Sequence, residues 1–177
     1  MQITIREIDE QAQTRQLLPF LEERAAEALA LVREEALPAG ALEAFLERSW
    51  DAPEKTLLVA EAARSPPDAD SAQAANSTRA AGASPPATSP SPLGLLLSGP
   101  FTDPLAGDRR PMILVLWVER SLRHRGLAGA LVRRAREIMA ERGLAPLAGR
   151  AEAGDDTRIS MGERWGFMRI WEVMVAE

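Results

Sequence analysis

The sequence contains no cysteine, no tyrosine and a single histidine, His124. Without cysteine there is no disulfide, no thiolate nucleophile and no cysteine-ligated metal. With one histidine there is no His-cluster zinc site and no paired-His relay. A Ser-His-Asp hydrolase would have to use His124, which stands between Arg123 and Arg125 and is therefore a poor base. No apolar run reaches the ~18 residues of a membrane-crossing helix. Met1 to Arg6 alternate apolar and polar side chains, with neither a basic segment nor an apolar core, so no secretory leader is expected. A cytoplasmic location is the matching expectation.

What is present suits a globular chain. Hydrophobic residues make up 46% and charged residues 27% of 177, enough for one packed core and little more. The formal net charge of −5 argues against general affinity for nucleic acid, and no membrane partner is expected. The charge is uneven: glutamate dominates the first fifty residues and arginine clusters at 120–136. A local basic site for a small anion fits that pattern better than a basic face.

Periodicity predicts a strand over 2–8, with Ile3 and Ile5 on one face. Residues 10–37 read as helical, with Pro19 near a start or break and Pro38-Ala39-Gly40 as the stop. A short helix over Ala41–Trp50 and a buried strand over Lys55–Ala63 follow. From Arg64 to Pro92 large apolar residues vanish, and Ala, Ser and Pro dominate. Such a segment cannot offset its ordering entropy, so it reads as a flexible insertion within one domain spanning 1–177. It is either a passive surface loop or a lid over a substrate. Leu93–Gly99 reads as a strand, Pro100–Arg110 as turn residues, and Pro111–Glu119 as a central strand covered on both faces. Gly126–Arg142 is an amphipathic helix ending at Gly143. A strand over 146–151, a short helix over 156–164 and a last strand over 167–175 complete the chain. Hairpins mixed with helix crossovers predict an α/β fold with a single mixed, mostly antiparallel twisted sheet flanked by helices.

The candidate site is Arg123-His124-Arg125-Gly126-Leu127-Ala128. A helix N-terminus carries roughly half a positive charge, so cations placed there make sense when an anion lies between them. The free first-turn amides point at that position. Gly126 permits close backbone approach, and Ala128 keeps the next turn small. The alternative is a solvent-exposed basic loop with a glycine for its turn.

These residues resemble the GNAT superfamily of acetyl-CoA-dependent N-acetyltransferases. Its signature, Gln/Arg-x-x-Gly-x-Gly/Ala, follows a central strand and opens a helix, and Arg123, Gly126 and Ala128 match its fixed positions. A second family feature, a Gly-Phe pair after a short helix, is matched by Gly166-Phe167, and the resemblance is detailed from about Pro111 to Val173. It implies the GNAT-like acyl-CoA N-acyltransferase fold, with a V-shaped opening between the fourth and fifth strands. The cofactor would be acetyl-CoA. Its pantetheine would pair with the backbone of Trp117 and Val118, and its pyrophosphate would sit on amides from Arg123, His124, Arg125, Gly126, Leu127 and Ala128.

The resemblance further implies transfer of an acetyl group to a primary amine by direct attack on the thioester. The acceptor is a small molecule, an amino-acid derivative or a protein amine. The N–H of Val118 would stabilise the oxyanion. The family's usual tyrosine acid falls at Gly162, so Ser160 or a water is the substitute, and a non-catalytic acyl-CoA-binding or regulatory module on the same scaffold is the alternative function. Glu119 and Glu61 are candidate bases, each with a solvated surface carboxylate as the alternative. The acidic helix residues, Glu22, Glu23, Glu27, Glu34, Glu35, Glu43 and Glu47, either face solvent or attract a cationic amine. No metal site is expected, and the oligomeric state, monomer or homodimer, stays open.

Overall fold

The computed structural model describes residues 2–30, 38, 40–63, 92–103, 107–151 and 154–168. The insertion expected at 64–92 therefore falls almost wholly outside the described residues, as does most of the last expected strand at 167–175.

Four strands, β1 (Ile3–Glu7), β2 (Thr56–Ala62), β3 (Gly94–Thr102) and β4 (Arg109–Val118), form an antiparallel sheet in the order β1-β2-β3-β4. Helices α1 (Gln11–Ala30) and α2 (Ala41–Ser49) cover one face. Helix α3 (Leu127–Glu141) and the end of α4 (Asp156–Arg164) cover the other. Alternation along the strands sorts the core into two layers. Leu57, Val59, Leu95, Leu97, Val115 and Trp117 face α1 and α2. Leu58, Ala60, Leu96 and Val118 meet Leu131, Val132 and Ala135 of α3.

Several boundaries differ from expectation, each for a physical reason. Pro19 lies inside α1 and does not break it. It is exposed, so the carbonyl it leaves unbonded reaches water, while the neighbouring Leu17, Leu18 and Leu21 pack on the sheet. Residues 100–102 and 109–110, expected in a turn, extend the β3–β4 hairpin. Pro100 and Pro111 sit opposite each other. The N–H of Glu119 bonds the carbonyl of its opposite residue Leu93 at 2.9 Å, which fixes the ladder's alternation. With the one-residue shift at Leu97/Ser98, the proline pair falls on a non-hydrogen-bonded rung, where no N–H is missed.

The strand covered on both faces is β3, buried from Gly94 to Gly99, with β2 beside it. β4, expected in that role, is partly exposed. The bulge at Leu97/Ser98 leaves Leu114 without an opposite residue and turns it toward Gly99, leaving it 37% exposed. The strand expected over 146–151 contracts to one parallel bridge between Ala148 and Met112. It has two hydrogen bonds, Ala148 N–H to Pro111 at 2.8 Å and Ile113 N–H to Ala148 at 2.9 Å. Among the described residues the sheet is antiparallel, with this single parallel bridge at the edge of β4.

Leu131 is fully buried between α3 and the sheet. Leu131→Ala should cost about 2–5 kcal/mol in a urea unfolding titration. Leu114→Ala, at a half-open position, should cost less than about 1 kcal/mol. Equal costs would contradict the bulge.

Candidate functional site

β4 leads into a 3-10 turn at Arg120–Leu122 and then into α3. Leu122 is buried and anchors the turn against α3. Arg123 is extended (φ −61°, ψ 153°) and spends its N–H on Arg120 at 3.3 Å. His124 then takes φ +62°, the one positive φ outside glycine among the described residues, and Gly126 takes φ +85° as the helix N-cap. Left-handed residues in such a turn swing successive amides toward one side and form an anion-binding concavity.

The first backbone bond of α3 runs from Ala130 N–H to Gly126 at 3.0 Å. Among the described residues, the N–H groups of His124, Arg125, Gly126, Leu127, Ala128 and Gly129 have no protein acceptor. A Cβ built on Gly126 would meet nothing within 4 Å. The glycine is therefore required by its φ, and the space beside it is open. A groove of about 350 Å³ adjoins this point, lined by Ile3, Ile5, Leu122, Arg125, Leu127 and Ala130 with Gly126.

The outer edge of β4 beyond Ile113 is the second surface without a partner among the described residues. Because Glu119 bonds Leu93, the main chain of Trp117 is turned toward Leu95 of β3. Trp117, expected to offer its backbone to a ligand, thus has it committed to the sheet. Leu116 and Val118 face outward. Past the bridge at Ala148 no strand pairs with them among the described residues. Val118 keeps its N–H, but its carbonyl already accepts from Arg123 Nε at 3.0 Å.

Arg123 does not extend into the row of amides. Its Nη2 bonds Glu27 of α1 at 3.2 Å. Glu27 also accepts from Arg24 at 3.0 Å and from the indole N–H of Trp117 at 3.0 Å. The Arg24 bond, aided by Trp117 and Arg123, holds this carboxyl below the usual glutamate range. Its folded pKa being depressed, the stabilisation it supplies is present above the unfolded value and is lost as pH falls through the folded one. The Trp117 ring meets Phe20 edge-on at 5.4 Å and lies under Arg24 at 4.8 Å. Glu27 was legible in the sequence only as one acid among many; Arg24 lies at helical i,i+3 spacing from it, but nothing local marks Trp117 or Arg123 as partners.

The other candidates are dispersed. Glu61 forms a two-pronged pair with Arg6 at 2.9 and 3.1 Å, and Arg6 also bonds Gln13 of α1. Glu119 is partly exposed between β4 and the cradle, with no side-chain partner among the described residues. Ser160 is exposed on α4. Gly166 (φ +81°) ends α4: its N–H bonds Glu163 at 2.9 Å and that of Phe167 bonds Gly162 at 3.0 Å. The Gly-Phe pair is thus a helix cap. Two further residues dock α4 on α3 without any sequence signal. Arg136 bonds the Trp165 carbonyl at 2.8 Å, and Gly129 leaves room for the Trp165 indole.

No family model matches the chain, and no curated protein matches it. Solved structures do. AAC(6')-Iy in complex with the bisubstrate analog CoA-S-monomethyl-acetylneamine is similar over 100% of this chain and 98% of its own, with TM-score 0.64 and 14% identity. A proposed acetyl transferase from Pyrococcus furiosus is similar over 99% of both chains, with TM-score 0.65 and 17% identity. A chain of the NatC complex bound to Gag peptide and CoA is similar over 97% of this chain and 87% of its own, with TM-score 0.63 and 16% identity. At these identities the likeness is one of fold.

An anion site built on these amides should answer to the anion alone. Inorganic pyrophosphate should raise the unfolding free energy, by about 2.7 kcal/mol at 100 times its dissociation constant. Phosphate-free buffer of equal ionic strength should not. No difference between the two in a thermal melt would count against the cradle.

Proposed function

We propose that this chain, which has the fold of the GNAT acyl-CoA N-acyltransferases, is an acetyl-CoA-dependent N-acetyltransferase acting on a primary amine. One observation carries the reading: among the described residues, six consecutive amides without acceptors, leading into α3, stand beside an outer edge of β4 that no strand pairs at Leu116 and Val118. A diphosphate needs the first and an extended amide-containing arm needs the second. Two of the similar structures, AAC(6')-Iy and the NatC complex, hold CoA or a CoA analogue. A cytoplasmic location belongs to the same reading.

When bound, acetyl-CoA supplies the activated thioester. The chain's own groups do the rest. The amides of His124 to Gly129 hold the diphosphate, with Arg125 and His124 adjacent. Leu116 and Val118 present outward main-chain groups to the arm, and the Val118 N–H, its carbonyl being taken by Arg123, remains a donor for a developing oxyanion. The incoming ammonium must lose a proton. We assign that to Glu119, because Glu61 is engaged by Arg6.

A second reading has its own observation. The chain has no tyrosine, and Gly162 of α4 leaves no side chain where the family's acid would stand. Ser160 is then the nearest hydroxyl in sequence to protonate the leaving thiolate. If nothing does so, the protein is an acyl-CoA-binding module without turnover.

Two measurements separate these outcomes. CoA should bind the wild type, and Gly126→Asp, which puts a carboxylate above the amides, should weaken binding at least ~30-fold with the fold retained. Unchanged affinity would sink the site. Release of free thiol from acetyl-CoA with a panel of amines should accompany binding if the chain is an enzyme. Binding without release would favour the second reading.

A further inference from the structure

One acidic side chain reaches the cradle from the opposite face of the sheet. Glu27 lies on α1, and its two oxygens take donors from three elements: Arg24 of α1, the Trp117 indole of β4, and Arg123 at the entrance to the cradle. Arg123 bridges two anchors, with Nη2 on Glu27 at 3.2 Å and Nε on the Val118 carbonyl at 3.0 Å. The residue after it is His124, whose left-handed φ begins the turn that aligns the free amides. The side chain pinned by Glu27 is thus the last fixed point before that turn. Glu27 and Arg123 are 40% and 38% exposed, so the ion pair adds little to global stability. Its effect is directional: a planar guanidinium held at two of its nitrogens cannot swing. With both oxygens occupied, Glu27 is also not a free anion for an incoming amine.

We infer that Glu27 is a positioning residue for the donor's diphosphate, acting through Arg123 to hold the His124–Gly126 turn in its anion-binding shape. The inference rests on the acetyltransferase reading and adds to it a residue that touches neither substrate. It makes a distinction among donors. A donor with a diphosphate depends on the turn; one that ends at the pantetheine does not.

The test uses the full chain and two acyl donors, acetyl-CoA and S-acetylpantetheine, which lacks the diphosphate. Glu27→Gln should weaken CoA binding and raise the KM for acetyl-CoA about tenfold, the scale of one charge-assisted hydrogen bond. Its kcat, and its kcat/KM with S-acetylpantetheine, should stay within about twofold of wild type. Arg123→Lys keeps the charge but loses the fork, and should show the same split. Glu23→Gln, which removes only an exposed contact to Arg24 at 3.3 Å, should change nothing. Unchanged CoA affinity in Glu27→Gln, in a wild type that binds CoA, overturns the inference alone. Equal loss on both donors with a lowered melting temperature makes Glu27 merely structural and also overturns it. A wild type that does not bind CoA removes the acetyltransferase reading and this inference with it.

Discussion

A helix cannot satisfy its own first amides, and at the start of α3 that constraint is met by no other part of the described chain. Two other helix ends are closed. The N-terminus of α4 is capped by the Asp155 carboxylate, which accepts from Arg158 N–H at 3.0 Å. The C-terminus of α3 ends in a left-handed Gly143, with Leu144 N–H bonded to Met139 at 3.0 Å. The run from His124 to Gly129 has no such cap; α2 likewise starts at a left-handed glycine, Gly40, without a side-chain cap, but among the described residues only the run before α3 adds a left-handed non-glycine residue, His124. That φ comes at a cost on the order of 1–3 kcal/mol that the surroundings must impose. Buried Leu122 on one side and Leu127 on the other hold the ends of the turn against the sheet.

Charge placement follows from the same constraint. Cations beside a helix N-terminus are disfavoured unless something negative lies near. The fold supplies a negative group for one of them by bringing α1 across the end of β4, so that Arg123 meets Glu27. Arg125 stays at the rim of the groove next to Gly126. The basic cluster therefore divides into one residue that shapes the loop and others left facing the open side.

The β3–β4 pair sets the second half of the geometry. One bulge at Leu97/Ser98 reverses which rungs of β4 point inward. Upstream of it, Pro111 and Ile113 turn outward to bond Ala148; downstream, Leu116 and Val118 turn outward with no strand to receive them among the described residues. The bridge at one end and the lack of a described partner at the other leave the Leu116–Val118 edge beside the cradle unpaired among the described residues.

Much of this was legible in one dimension. The period-two and 3.6-residue patterns located β1, β2, α2, α3 and α4 to within a residue or two, because each buries one face against the same sheet. The placement of Gly126 before an amphipathic run marked the helix start, since only glycine takes φ +85° without strain. The central place of β3, the passage of α1 through Pro19, and the reach of β3 and β4 past Pro100 and Pro111 were not legible. Each depends on what packs or pairs across the sheet and not on neighbours in the chain. So does the side-chain direction of Arg123: the sequence determined that a basic residue precedes the turn, and only the tertiary structure decided that it binds Glu27, 96 positions away. Local periodicity encodes which backbone shape is cheapest, whereas the partner of a long charged side chain is set by the three-dimensional approach of elements that the sequence keeps apart.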